Sequence, residues 1–170
     1  MPDQNIIEIA EGYRPGLVGR ITEMHAAFYA RFAGFDQVFE AQVAAGLAEF
    51  VGRIAHPANG AWVALLNERI VGSVIIDGED LGSGVAHLRW FIVDDSVRGH
   101  GVGQKLLARA VRFCDDREFS AVHLWTFEGL SAARALYDAS GFKKVEERLG
   151  SQWGKEVVEQ RFERTRGESS

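Results

Sequence analysis

Apolar residues recur along this chain at two spacings, and the switches between them mark the elements. Ile6, Ile7 and Ile9 suggest a first strand that ends near Pro15-Gly16. Leu17, Ile21, Met24, Phe28 and Phe32 then return every three or four residues, the spacing of one helix face. Gly34 stops that helix, and Asp36 can cap a second one carrying Val38, Phe39, Val43, Leu47, Phe50, Val51 and Ile54. Pro57 and Gly60 close the helical block. Residues 62–66 and 70–76 read as a hairpin around Asn67-Glu68-Arg69, and residues 85–93 as a third long strand after the turn at Gly82 and Gly84.

A Gly-rich loop follows, then an amphipathic helix. Its buried stripe is expected to be Val102, Leu106, Leu107, Ala110, Val111 and Cys114, with Lys105, Arg109, Arg112 and Asp116 outside. Residues 121–127 form another strand, 130–140 a short helix ended by Gly141, and 142–148 and 156–162 two closing strands. This order predicts an α/β fold, a mixed and mostly antiparallel sheet with helices on both faces. The expected domain spans residues 1–164, with 165–170 a small, polar, frayed tail.

Composition narrows the function. A formal net charge of −5, from 19 Lys and Arg against 24 Asp and Glu, argues against nucleic acid as a partner. No apolar run approaches a membrane span, and residues 1–5 lack the basic and apolar regions of a signal peptide. The single cysteine, Cys114, excludes an internal disulfide and falls on the buried helix stripe. The default setting is cytoplasmic. No histidine pair has metal-ligand spacing with a third ligand, so no metal is expected.

The informative segment joins the third long strand to the amphipathic helix: Arg98-Gly99-His100-Gly101-Val102-Gly103. The first amides of a helix lack intrahelical partners and carry the positive end of the macrodipole. Glycines let a phosphate approach that bare backbone, and Arg98 adds a charged donor. A bare Gly-rich turn with no ligand would look similar. A Walker loop is excluded because Gln104-Lys105 follows Gly103, and a Rossmann loop because these glycines do not follow the first strand of a parallel unit.

At this point the chain resembles the GNAT acetyltransferases. Arg98-x-x-Gly101-x-Gly103 is similar to their pyrophosphate loop, and Ala133-Arg134-Ala135-Leu136-Tyr137-Asp138-Ala139-Ser140-Gly141-Phe142 to their Ala-x-x-Leu-Tyr-x-x-x-Gly-Phe segment. Leu124-Trp125-Thr126-Phe127 and Gln152-Trp153-Gly154-Lys155 further resemble GNAT domains related to those fused to MarR-type regulators.

The resemblance implies acetyl transfer from acetyl-CoA to a primary amine, by direct attack in a ternary complex; the alternative is a non-catalytic acyl-CoA sensor or interaction module. It places the pyrophosphate on Arg98, Gly99, His100, Gly101, Val102, Gly103 and Gln104, and the pantetheine arm along Phe91, Ile92, Val93 and Thr126. Tyr137 takes the role of general acid and cofactor contact. Many relatives carry Asn seven residues before this tyrosine; here it is Leu130, and Ser131 either substitutes or caps its helix. The base is open among His87, Glu79, Glu128 and no dedicated group. His25 and Tyr29, one turn apart, are candidates for the acceptor site or for simple packing. Asp36, Glu40, Asp77, Glu79 and Asp80 suggest either an acidic region suited to a cationic amine or a solvated face. The hairpin bearing Trp153 would border the acceptor or a homodimer contact.

Overall fold

The computed structural model describes residues 6–167. The charge-poor segment at residues 1–5 and the end of the expected tail, 168–170, lie outside the described residues. The elements are β1 (Glu8–Glu11), α1 (Leu17–Ala33), α2 (Gln37–Val51), β2 (Gly60–Leu66), β3 (Arg69–Asp77), β4 (Val85–Val93), a 3-10 turn (Asp95–Val97), α3 (Val102–Asp116), β5 (Ala121–Phe127), α4 (Ser131–Ala139), β6 (Lys143–Gly150) and β7 (Val157–Thr165). The strands form one sheet in the order β1-β2-β3-β4-β5-β7-β6. All neighbours are antiparallel except β4 and β5. This is the mixed α/β fold that the periodicity implies. The chain stays in register past the expected boundary, since Thr165 pairs with Ala121 and Arg166 N–H donates to Ser120 O at 3.0 Å.

Local chemistry sets the element ends. Asp36 accepts from Val38 N–H at 3.1 Å and caps α2, whereas Gly34, at φ 70°, ends α1. Asn67 and Glu68 take φ 51° and 65°, the two-residue turn whose twist matches a hairpin.

Strand alternation then divides the core between the faces of the sheet. Trp62, Ala64, Val74 and Ile76 point toward α3, where they meet Leu106, Leu107, Ala110 and Cys114. Ala61, Val63, Ile70 and Ile75 point toward α1 and α2, against Leu17, Ile21, Leu47 and Phe50. The α3 stripe follows the amphipathic pattern with two additions: Gly103 and Phe113 are also buried, Phe113 packing edge-on against Trp62 at 5.2 Å, while Val111 is only partly covered.

Candidate active site

Strands β4 and β5 pair only through Val85–Ala121, Ala86–Val122 and His87–His123. Beyond these residues they separate, although β4 stays paired to β3 and β5 to β7. Extended backbone without a partner is a docking edge for a ligand that carries amides. Two cavities open around this splay. One, of about 580 Å³, runs from Phe91, Ile92 and Val93 to the loop before α3; the other, of about 300 Å³, is walled by α1, α2, β4, β5 and the β6–β7 hairpin. Tyr29 and Phe91 line both, so the two cavities adjoin there.

The loop of the larger cavity has the character of an anion cradle. Its 3-10 turn is capped by Asp94, which accepts from Ser96 N–H at 2.9 Å. Gly99 and Gly101 then take φ 83° and 72°, and α3 begins. The first helical bond that reaches back into the loop runs from Lys105 N–H to Gly101 O, 3.1 Å. Among the described residues the amides from Gly99 to Gln104 have no acceptor. A Cβ on Gly99 or Gly101 would meet nothing within 4 Å, so these residues present bare backbone to open space. Gly103 has a different reason to be glycine: its Cβ would stand 3.0 Å from Leu136 Cδ1, so it sets the approach of α4. Arg98 Nε lies 2.6 Å from Asp95 Oδ1, and its guanidinium rests 4.9 Å from the Phe28 ring centre. Free amides, open glycine faces and a guanidinium suit a pyrophosphate. His100 is exposed and is not on the cavity wall, so only its backbone belongs to this cradle.

Tyr137 reaches the smaller cavity from α4. Gly141 N–H bonds to Asp138 O at 3.2 Å and Phe142 N–H to Tyr137 O at 3.0 Å, a Schellman end in which the Phe142 and Tyr137 rings meet at 5.9 Å. Phe91 and Phe162 flank the same ring at 5.9 and 5.8 Å. Burial, aided by Tyr29, pushes the phenol well above the ordinary tyrosine range and keeps it protonated. Ser131 lines the larger cavity but does not cap α4: the N-cap position is Leu130, without a side-chain cap bond. The helix begins one residue earlier than Ser131 could serve.

The other candidates separate in space. His25 and Tyr29 both line the smaller cavity. His25 Nδ1 lies 2.8 Å from Ile21 O, and burial, against that bond, lowers its pKa to about 4. Tyr29 is pushed up to about 12 by burial, opposed by the charge of Arg98. His87 lines the same cavity, with Nδ1 2.8 Å from Asp80 Oδ2. With Nδ1–H donating to that carboxylate, Nε2 is the acceptor of the neutral ring.

Glu79 is absent from the walls of both cavities; it accepts from Arg53 Nη1 at 2.9 Å and Asn59 Nδ2 at 2.8 Å, and these bonds hold its carboxyl below the ordinary range. Glu128 is exposed just past β5, on a third hollow of about 360 Å³ that it shares with Ser131 and Thr126. Thr126 also faces the smaller cavity.

Three features escape sequence reading. Trp90 sits at φ 48° in a bulge where β4 gains a residue against β3, fixed by Ser73 Oγ–H donating to Trp90 O at 2.7 Å. The bulge breaks strand alternation, so Arg89, Trp90 and Phe91 all reach the smaller cavity. Gln42 from α2 and Gln152 from the β6–β7 hairpin join them. Gln152 is held by buried Glu159, which accepts from its backbone N–H at 2.9 Å and from Nε2 at 2.8 Å. Among the described residues no group of three or more His, Cys, Asp or Glu is arranged to hold a metal, and no helix is long and apolar enough to cross a membrane.

The chain is 34% identical over 89 residues to an N-acetylaspartate synthetase of Xenopus tropicalis, and 31% identical over 99 residues to human N-acetyltransferase 8B. Those stretches cover 52% and 56% of this chain but only 32% and 44% of the relatives, so the match spans less than half of their lengths. Among solved structures, a GNAT-family acetyltransferase from Staphylococcus aureus superposes with a TM-score of 0.73 at 20% identity, covering 94% of this chain and 99% of its own. An acetyltransferase from Salmonella typhimurium solved with its cofactor acetyl-CoA gives 0.74 at 14% identity, with 96% of each chain covered. At those identities the likeness shows the fold. The sequence pattern described as the acetyltransferase (GNAT) family matches residues 22–142, most of the chain. This chain therefore belongs to the acetyltransferase (GNAT) family, enzymes that draw their acyl group from acetyl-CoA.

Proposed function

We propose that the chain transfers an acetyl group from acetyl-CoA to a primary amine, by direct attack of the amine on the thioester while both are bound. The observation that carries this reading is that the two cavities adjoin, with Tyr29 and Phe91 lining both. An anion cradle lies at the far end of one, and proton-handling side chains lie in the other. The relatives' names, N-acetylaspartate synthetase and N-acetyltransferase 8B, also put the acetyl group on nitrogen.

In this reading residues 98–104 hold the pyrophosphate and the free edge of β4 at Phe91, Ile92 and Val93 receives the pantetheine arm, with Thr126 on the opposite strand. Bound acetyl-CoA supplies an activated acyl carbon. The amine must arrive neutral, yet on the order of one alkyl amine in a thousand is unprotonated at pH 7. His87 is the acceptor for that proton, oriented by Asp80. His25, with a pKa near 4, is too weak a base for the task. Glu79 and Glu128 line neither cavity and are left out of the mechanism. Tyr137 stabilises the departing sulfur. Because burial raises its pKa, full transfer to a thiolate of ordinary pKa about 8.5 is uphill, and a hydrogen bond to the developing charge is the contribution this environment favours.

The test is a panel of primary amines incubated with acetyl-CoA, with free thiol and the mass of the acylated product both recorded. Equal yields of CoA and N-acetyl product are expected, and His87→Ala should lower kcat with acetyl-CoA affinity little changed. Tight acetyl-CoA binding with no product from any amine would favour the sensor alternative.

A further inference from the structure

The smaller cavity has an unusual charge inventory for a site that accepts an amine. None of its lining residues is an aspartate or a glutamate, and Arg89 is its one Lys or Arg among the described residues. The acidic residues that the sequence offers for a cationic amine are occupied elsewhere. Asp77 accepts from Arg53 at 2.8 and 3.2 Å and from the amides of Glu79 and Asp80, while Asp80 is bonded to His87. A polyamine or lysine-like acceptor would therefore meet a cation on the cavity wall, and the carboxylates nearest to it are already shared among Arg53, Arg89 and His87.

Arg89 itself has donors to spare. Its guanidinium lies 4.0 Å from the Trp90 ring centre and makes no hydrogen bond to a described residue. Its ion pairs are long and both use Nη1, 3.5 Å to Asp77 and 3.6 Å to Asp80. Two features of the backbone put it there. The bulge at Trp90 brings Arg89 and Trp90 to the cavity together, and Gly46 in the middle of α2 makes room above them. A Cβ at Gly46 would stand 2.8 Å from Trp90 Cζ2 and 3.5 Å from Arg89 Nη2. A glycine inside a helix costs stability, so its presence here serves the packing of this pair.

We infer that the acceptor is a free aminocarboxylate, a small primary amine that carries a carboxylate, and that Arg89 holds that carboxylate; this rests on the acetyl-transfer reading above. A guanidinium fork matches a carboxylate with two parallel hydrogen bonds, and stacking on Trp90 keeps the plane of the fork fixed. The same cation disfavours an ammonium close by, which helps the amine give its proton to His87. Trp125 and Trp153 supply apolar wall for the remainder of the molecule.

The experiment uses matched triplets of α-amino acid, its primary amide and its decarboxylated amine, in aromatic and aliphatic versions. Each is given to the enzyme with saturating acetyl-CoA, and kcat/KM is read from thiol release with product mass as a check. The acids should exceed their amides and amines by at least tenfold. Arg89→Leu should bring the acid-to-amine ratio near one, and Arg89→Lys should retain part of it. The ratio does not depend on how much of a variant is folded. Acetyl-CoA affinity by calorimetry should stay unchanged in both variants. Amides or amines used as well as acids, a preference that survives Arg89→Leu, or no acetylation of any acid would overturn the inference while leaving acetyl transfer standing. Failure of the wild-type protein to bind acetyl-CoA would overturn both.

Discussion

His25 should make the fold sensitive to acid over a defined window. Its ring is 5% exposed, and burial, opposed by the bond to Ile21 O, takes its pKa from 6.5 down to about 4. Between those values the unfolded chain binds a proton on this residue that the folded chain refuses. Stability from this source is complete above pH 6.5 and is lost as pH falls toward 4. At about 1.36 kcal/mol per pH unit the full loss is roughly 3 kcal/mol, of which about 2 kcal/mol should be gone by pH 5. The assay is urea unfolding of the wild type and His25→Gln at pH 7.5 and pH 5.0. Burial also lowers His123, and Asp77 is lowered because hydrogen bonds from Arg53 and the Glu79 and Asp80 amides outweigh its burial, but both groups are common to the two proteins and cancel in the difference. The wild type should lose about 2 kcal/mol more than the variant across the interval, on the order of 4–8 °C in Tm for a domain of this size. Parallel pH profiles would refute the reasoning, because they would mean that His25 keeps its proton inside the fold. A neutral His25 also matters for specificity, since it leaves Arg89 as the cation facing the acceptor.

Arg98→Ala should weaken acetyl-CoA by about tenfold or more, since a charge-assisted hydrogen bond is worth about 1.5–3 kcal/mol. Gly101→Val should do worse, because φ 72° strains a branched residue and its side chain would fill the open face of the cradle. Calorimetric affinity unchanged in both would refute the cradle. Tyr137→Phe keeps the ring packing and should lower kcat by about 10²-fold, the cost of losing one hydrogen-bond donor to developing charge, with acetyl-CoA affinity little changed; near wild-type turnover, with chemistry rate-limiting, would remove the phenol from the mechanism. Gly46→Ala would stabilise α2 by up to about 1 kcal/mol on helix propensity alone. The clash with Trp90 should reverse that sign and raise the acceptor KM; a more stable variant with unchanged KM would contradict the role given to this glycine.

Much of this architecture is written in local pattern. The α3 stripe, the bounds of β4 and β5, the turn after Leu66 and the loop from Arg98 to Gly103 follow from periodicity, capping chemistry and glycine placement. What escapes is decided by tertiary geometry. Leu88 to Val93 reads as an uninterrupted strand, and nothing in that run announces that Trp90 leaves the pleat or that β4 abandons β5 after His87. His87 and Glu79 are equally plausible bases as residue types; only the fold shows that Arg53 and Asn59 claim one and Asp80 orients the other. Ser131 has the composition of a helix cap, but α4 starts at that residue instead of after it. Gly46 looks like a weak point in a helix until Trp90 is found beneath it.

The claim that the two cavities are one reaction centre is tested most directly by a crystal structure of the protein with CoA bound. The pyrophosphate should lie within hydrogen-bonding distance of the amides of residues 99–104, and the sulfur between Phe91, Tyr29 and Tyr137, at the mouth of the smaller cavity. A pyrophosphate bound elsewhere, or a sulfur directed away from Tyr137 and His87, would contradict it.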